Sequence, residues 1–255
     1  MHVTESDLAS LNDRFAGATP LELLRFAVDA FGPRLAILSS MQRAGTMLCH
    51  LADRDGLGLD VVFVDTGVLH EQTRQTRDEL ARTHRHLNVI TAHPSLTFSE
   101  QTEREGLLYL SKEGQERCCD LRKSEPLRAL RGRYDALASA LRRGEGGARG
   151  SLRPFGLDPA MNALRVHPLH ATTTEQLDAY MSEHAGDVVV NPLHAMGFPT
   201  IGCFTCTTPV RPDEPERAGR WRHLADVAYC GINPVDRDGE GLGVELAERY
   251  RAVLG

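Results

Sequence analysis

The sequence of 255 residues has no long apolar run, either at its N-terminus or further along. A membrane-spanning helix needs about 20 consecutive apolar residues, and a secretory signal needs an apolar stretch behind basic residues, so neither is predicted. Internal repeats and low-complexity linkers are absent as well. We therefore expect a cytoplasmic protein with one main domain, residues 1–225, and a C-terminal extension, residues 226–255.

An excess of positive charge is also missing. The chain has 29 Lys and Arg residues against 35 Asp and Glu residues, a net charge of -6 and a pI near 6.0. This balance argues against a broad nucleic-acid or membrane surface, so an anion site must come from a local arginine cluster and its ligand should be small. The apolar content of 41% is enough to fill a core.

The spacing of apolar residues predicts alternating strands and helices. Strands are expected at residues 34–40, 59–67, 87–93, 134–143 and 163–170. Helices are expected within residues 4–31, with a start at Thr19 and Pro20, and at residues 46–56, 71–84, 122–133, 172–186 and 244–253. Strands joined by right-handed helical crossovers form a parallel sheet, so the predicted fold class is α/β with flanking helices.

Two predicted strands end in polar residues that suit a ligand site. Ser39 and Ser40 follow the first strand, and Asp65, Thr66 and Gly67 follow the second. In α/β proteins, ligands bind at the carboxyl ends of the strands, where backbone N–H groups face anions. From these two loops alone, ordinary turn residues with local hydrogen bonds are an equal alternative.

The six cysteines are more informative, and they are Cys49, Cys118, Cys119, Cys203, Cys206 and Cys230. In a reducing compartment, clustered cysteines favour metal or redox chemistry over disulfides. The adjacent pair and the Cys-x-x-Cys pair supply four thiolates, which suit zinc or an iron–sulfur cluster. Adjacent cysteines strain a zinc knuckle, which favours the cluster. The alternative that one of the two pairs consists of buried thiols without a metal stays open. Cys49 alone on an apolar helix face is expected in the core.

Basic residues follow both cysteine pairs. Arg122 and Lys123 come just after the adjacent pair, and Arg217 and Arg220 lie beyond the Cys-x-x-Cys pair. A charged run is usually a solvated face. If folding joins the four cysteines, however, it also joins these cations into a local anion site within an acidic protein.

Four motifs together resemble the sulfonucleotide reductases, and in particular the cluster-bearing adenylyl-sulfate reductases. They are "FVDTGVLHEQT", "CCDLRKSEPLRAL", "NPLHAMGFPTIGCFTC" and "ERAGRW", and the resemblance runs from about residue 35 to residue 231. It implies an adenine-nucleotide α-hydrolase-like (PP-loop) fold for residues 1–225. It also implies a 4Fe-4S cluster held by Cys118, Cys119, Cys203 and Cys206.

The resemblance further implies a reaction. Cys230 would attack the sulfur of adenylyl sulfate, giving AMP and an enzyme S-sulfonate, and thioredoxin or a similar dithiol would release sulfite. Lys123 would lie between cluster and substrate, with Arg217 and Arg220 at the sulfate and phosphate end. The implied nucleotide site contains Ser39, Ser40, Asp65, Thr66, Gly67, Arg142, Arg143 and Arg149.

The chain departs from the family pattern at three places. Met41 and Gln42 stand where an aromatic residue or leucine and a glycine are usual, Ala140 replaces a glycine, and Tyr229 and Asn233 flank the last cysteine in place of Glu and His. Two alternatives therefore stay open. One is a repurposed relative that acts on another sulfonyl nucleotide or acceptor, and the other is a non-catalytic cluster protein that senses nucleotide. The choice between adenylyl sulfate and its 3′-phosphorylated form, and the oligomeric state, also stay open.

Overall fold

A six-stranded sheet forms the centre of the computed structural model, which describes residues 1–224, 232–234 and 243–254. The strands are β1 (Leu35–Leu38), β2 (Leu59–Val64), β3 (Leu87–Ala92), β4 (Ala136–Ser139), β5 (Phe155–Asp158) and β6 (Ala163–Val166). Their order is β3-β2-β1-β4-β6-β5, and every pair is parallel except β5 with β6. The predicted α/β class with a mostly parallel sheet is confirmed.

The α-helices cover both faces of this sheet and connect its strands. They are α1 (Glu5–Arg14), α2 (Pro20–Phe31), α3 (Arg43–Arg54), α4 (Glu71–Thr83), α5 (Phe98–Glu105), α6 (Lys112–Cys119), α7 (Glu125–Arg128), α8 (Thr174–Glu183) and α9 (Arg251–Leu254). No helix in the described ranges is both long and apolar enough to cross a membrane.

Alternate residues of the central strands enter two separate apolar clusters. On β1, Ile37 joins the larger cluster, which also contains residues of α2 and α3, whereas Ala36 joins the smaller one on the opposite face. On β4, Ala138 and Leu137 divide in the same way. Burial on both faces explains why these strands read as continuous apolar runs rather than as alternating ones.

Four helices begin with a reciprocal capping box. In each, a threonine hydroxyl accepts from a backbone N–H and the third helical residue accepts from the threonine backbone, at Thr4, Thr19, Thr97 and Thr173. Each box satisfies two N–H groups that the first helical turn would otherwise leave unpaired. The predicted helix start at Thr19 and Pro20 is confirmed, and so is the threonine cap on α8.

The C-terminal helix is shorter than predicted. Residues 244–253 were expected to be helical, but α9 contains Arg251–Leu254 alone, after a 3-10 turn at Glu248–Tyr250. The reason is a tertiary contact that the local pattern does not contain. Val3 donates to the Val244 carbonyl at 3.0 Å and Leu246 donates to the Met1 carbonyl at 2.9 Å, so this segment pairs with the N-terminus as extended chain.

The sequence predicts a Gly-rich and Arg-rich loop at residues 144–156, but the antiparallel edge strand β5 begins inside it, at Phe155. Phe155 is buried on β5 and packs its ring edge-to-face against the rings of Phe15 and Phe26, with centroids 5.5 and 5.8 Å apart. The helix predicted at residues 122–133 is only partly confirmed. A π-helical turn occupies Asp120–Ser124, and the α-helix that follows, α7, contains Glu125–Arg128 alone. Both differences arise from long-range packing.

A buried ion pair joins β5 to β6. Arg165 donates to Asp158 Oδ2 from Nε at 2.8 Å and from Nη2 at 2.6 Å, and the two side chains are 1% and 3% exposed. Arg165 Nη2 also donates to the Ile232 carbonyl at 2.9 Å. The guanidinium therefore connects the sheet edge to the segment that follows Cys230 in the sequence.

We expect Asp158→Asn to lower the free energy of unfolding by about 3–5 kcal/mol, because it leaves the Arg165 charge buried and uncompensated. Urea unfolding measures this loss. Asp13→Asn is the matched control, since it breaks an ion pair with Arg153 whose side chains are 77% and 53% exposed, and it should change stability little. Equal effects of the two substitutions would contradict the assigned role of the buried pair.

Candidate functional site

The carboxyl ends of four neighbouring parallel strands, β2, β1, β4 and β6, meet at one edge of the sheet. Ser39 follows β1, Asp65 follows β2, Ser139 ends β4 and His167 follows β6, and all four side chains are buried. Loops of this kind bind ligands in open α/β sheets. The structure thus places both polar loops singled out in the sequence at the same edge.

The loop after β1 is held in a strained conformation. Met41 has φ +57, uncommon for a residue with a side chain, and its side chain is fully buried. Ser39 Oγ accepts from the Met41 backbone N at 3.2 Å, and a Cβ on Gly45 would lie 2.8 Å from that same oxygen. Ser40 is exposed and accepts from Gln42 at 2.9 Å.

The loop after β2 forms a tight turn that reaches the cysteines. Asp65 Oδ1 accepts from Gly67 N at 2.9 Å, and Gly67 has φ +73, which favours glycine. The Thr66 hydroxyl lies 3.3 Å from Cys203 Sγ. Phe204 N donates to the Val68 carbonyl at 2.9 Å, so the Cys-x-x-Cys segment pairs directly with this turn.

The adjacent cysteines lie at the end of α6, where the helix widens into its π-helical turn. Such turns carry one extra residue and recur at functional sites. Here the turn directs Arg122, Lys123 and Ser124 into the protein, with at most 8% of any of these residues exposed. Cys119 is buried as well, while Cys118 is half-buried.

The four cysteines of the two sequence pairs line one pocket. Its wall consists of Val68, Gln115, Cys118, Cys119, Arg122, Lys123, Cys203, Thr205, Cys206 and Trp221. Burial raises the pKa of the Cys118 and Cys206 thiols above their ordinary value, so without a metal they stay protonated at neutral pH. The wall contains no His, Asp or Glu, and its four cysteine sulfurs are donors that suit zinc or iron–sulfur chemistry.

The arrangement of these thiols does not match a site for one metal ion. In the described ranges 1–224, 232–234 and 243–254, no group of three or more His, Cys, Asp or Glu side chains is arranged to hold one metal ion. A tetrahedral zinc site needs all four sulfurs at about 2.3 Å from one centre. A 4Fe-4S cluster, in contrast, gives each of its four thiolates a separate iron atom.

Two arginines stack beside the pocket on its single tryptophan. The Arg220 guanidinium carbon lies 4.4 Å from the Trp221 ring centroid, and that of Arg217 lies 5.9 Å away. Trp221 N donates to the Cys206 carbonyl at 2.9 Å, which ties this segment to the Cys-x-x-Cys loop. Gly219 permits the chain before Trp221 to approach Thr208 closely, since a Cβ on Gly219 would lie 2.1 Å from the Thr208 carbonyl oxygen.

Comparisons with known proteins agree with this architecture. The model of the "Phosphoadenosine phosphosulfate reductase domain" family matches residues 34–209. The chain belongs to this family. It is 37% identical over 234 residues to an adenosine 5′-phosphosulfate reductase of Streptomyces coelicolor, covering 90% of this chain and 96% of that protein. A second relative of the same name, from Rhodococcus opacus, is 34% identical over 243 residues, again covering 90% and 96%.

A solved structure supports the fold. The phosphoadenylyl-sulfate reductase of Candida auris, in a phosphate complex, superposes with a TM-score of 0.68 at 22% identity, covering 82% of this chain and 99% of that one. At this identity the likeness concerns the fold alone.

The Arg-rich loop of this family member is bound largely to itself and its neighbours. Arg143 Nε donates to the Leu152 carbonyl at 2.7 Å, and Arg149 forms an ion pair with Glu145. Arg142 is buried, with Nη1 3.4 Å from the Thr172 carbonyl oxygen. The structure thus sets these arginines near the ends of β4 and β6 and does not bring them to the cysteine pocket.

The two remaining cysteines have different positions. Cys49 lies in the apolar core, as predicted, and burial raises its pKa to about 12. Cys230 lies outside the described residues.

Sequence reasoning missed several polar residues of the site. Ser139 Oγ lies 2.9 Å from His167 Nδ1 at the ends of β4 and β6, and the side chains of Gln101 and Gln115 contact cysteine sulfurs. Only Gln115 had a local signal, because it stands four residues before Cys119 and so on the same face of a helix. The other contacts join residues far apart in the sequence.

We expect His167 to make stability depend on pH. Burial lowers its pKa to about 3, so below its ordinary pKa of about 6.5 the unfolded chain takes up a proton that the folded chain does not. The stability due to the neutral ring is complete above pH 6.5 and is lost as pH falls, by about 1.4 kcal/mol per pH unit.

Urea unfolding at pH 7, 6 and 5 should therefore show a smaller loss of stability in His167→Gln than in the wild type. Ser139→Ala removes the hydrogen bond but keeps the ring, so it should retain the wild-type slope. Identical slopes in the wild type and His167→Gln would contradict the assignment.

Proposed function

We propose that the chain reduces adenylyl sulfate to sulfite and AMP, as the names of its relatives in Streptomyces coelicolor and Rhodococcus opacus suggest for those proteins. The observation that carries the proposal is the pocket lined by four cysteines beside the carboxyl edge of the sheet. This region contains four cysteine sulfurs, Lys123 and the loop that follows β2.

Cys118, Cys119, Cys203 and Cys206 would hold a 4Fe-4S cluster in this pocket. The lining supports this assignment, because it supplies four cysteine sulfurs and no His, Asp or Glu side chain. When bound, the cluster would deprotonate the thiols and join the π-turn segment to the Cys-x-x-Cys loop. Lys123, which also lines the pocket, would place a positive charge between it and the substrate.

The anionic end of the substrate would lie against Arg217 and Arg220. Transfer of a sulfonyl group from a phosphate needs fixed positive charge on the leaving oxygens. Stacking of Arg220 on Trp221 supplies such fixation, since it restricts the guanidinium before substrate binds. Ser39, Ser40, Asp65, Thr66 and Gly67 would line the nucleotide end, with Arg142, Arg143 and Arg149 from the neighbouring loop.

Cys230 would be the nucleophile. Its thiolate attacks the sulfate sulfur, an S–S bond forms, the S–O bond to the phosphate breaks, and AMP leaves with the electron pair. A dithiol such as thioredoxin then attacks Cys230 Sγ, which releases sulfite and regenerates the thiol as the dithiol becomes a disulfide. The contact between Arg165 and the Ile232 carbonyl supports a defined path for the chain just beyond this cysteine.

Several predictions from the sequence stay predictions. They concern the domain boundary at residues 225 and 226, the cytoplasmic location, and thioredoxin or a similar dithiol as the reductant, while the oligomeric state stays open.

The cluster assignment predicts iron in the protein. Anaerobically purified chain should contain about four irons and absorb broadly in the visible range. Cys119→Ala should lose the iron, because it removes a ligand. Cys49→Ala should keep the iron, because Cys49 lies in the core away from the pocket. Stoichiometric zinc without iron in the wild type would refute the assignment.

The nucleophile assignment predicts a covalent intermediate. Incubation with adenylyl sulfate before any reductant is added should add SO3 to the peptide that contains Cys230, as seen by mass spectrometry. Cys230→Ser should keep iron and nucleotide binding but form neither adduct nor sulfite, whereas Cys49→Ala should form both.

Parallel reactions with the 3′-phosphorylated nucleotide identify the preferred substrate. Full sulfite production by Cys230→Ser would rule out this mechanism. No adduct with either nucleotide would favour the repurposed relative.

A further inference from the structure

All four pocket cysteines have an uncharged side-chain partner at their sulfur. The pairs are Gln101 with Cys118 at 3.5 Å, Gln115 with Cys119 at 3.0 Å, Thr66 with Cys203 at 3.3 Å and Thr205 with Cys206 at 3.6 Å. Two of the partners are amides, and they serve the adjacent pair on α6. The other two are hydroxyls, and they serve the Cys-x-x-Cys pair.

Both glutamines are buried to an unusual degree for their type. Gln115 is 0% exposed and Gln101 is 1% exposed, although a buried amide is costly unless its hydrogen bonds are made. The Gln115 amide oxygen has no hydrogen-bond partner among the described residues. The contact of its nitrogen with Cys119 is therefore the one hydrogen bond that this side chain makes in that part of the chain.

The orientation of the Gln101 amide is fixed by its other neighbour. Its oxygen accepts from Arg122 Nη1 at 3.0 Å. A guanidinium can only donate, so the oxygen must face Arg122 and the NH2 group must face Cys118. Arg122 is itself held, because it also donates to the Thr66 carbonyl at 2.5 Å and to the Leu96 carbonyl at 2.8 Å.

We infer that Gln101 and Gln115 are positioning residues for the metal-bound thiolates of Cys118 and Cys119, with Arg122 fixing the amide of Gln101. The inference rests on the proposed cluster. A thiolate accepts hydrogen bonds, so an amide N–H aimed at it offsets the cost of burying its charge. Donors of this kind orient metal ligands and tune iron–sulfur centres, and their loss typically lowers metal affinity by about 10- to 100-fold.

The test uses the holoprotein purified without oxygen. Gln115→Met and Gln101→Met keep the side-chain length and remove the donor, while Gln72→Met, on α4, is the matched control. Iron release to a chelator, followed by the loss of visible absorbance, should be faster by about 10-fold or more in the first two variants and unchanged in the control. Resonance Raman bands of the iron–thiolate bonds should shift to higher frequency, because the thiolates lose a hydrogen bond.

A second variant separates the loss of the hydrogen-bond donor from a loss of folding. Gln101→Glu still pairs with Arg122 through a carboxylate oxygen, but it offers Cys118 no N–H, so it should fold and release iron faster. Wild-type rates and Raman bands in the glutamine variants of an iron-loaded protein would overturn this inference alone. A wild type that binds no iron would overturn the proposed cluster, and this inference with it.

Discussion

The buried guanidinium of Arg122 is the interaction on which the rest of the site depends. It is 2% exposed and donates to the Thr66 carbonyl, to the Leu96 carbonyl and to the Gln101 amide oxygen. These partners come from the loop after β2, the segment after β3 and α5. One planar group therefore joins three segments to the helix of the adjacent cysteines, a geometry that the single ammonium of a lysine cannot reproduce.

The π-helical turn makes that position available. A regular α-helix after Cys119 would rotate the following residues by about 100° each, whereas the π-helical turn inserts one extra residue. In this structure Arg122 and Lys123 are both buried and both line the pocket, and Arg122 also makes the hydrogen bonds described above. The same local irregularity thus serves the fold and the chemistry.

Hydrogen bonds connect the chain before the Cys-x-x-Cys pair to the loop after β1. Ile201 N donates to Gln42 Oε1 at 2.8 Å, which ties the segment before Cys203 to the loop after β1. The buried amide of Asn191 donates to the Met41 carbonyl at 3.3 Å. This coupling gives the departures at Met41 and Gln42 a structural role, because both residues join the two regions.

The sequence by itself determined the alternation of strands and helices, the capped start of α2, and the presence of an adjacent cysteine pair and a Cys-x-x-Cys pair. These features depend on local period and spacing. The extended segment at Val244 and the edge strand at Phe155 were decided by tertiary packing, since their partners lie far away in the chain. The amide contacts of Gln101 and Gln115 were also decided there. A buried glutamine is indistinguishable in sequence from an exposed one, and its hydrogen bond to a sulfur exists only when folding brings the two atoms together.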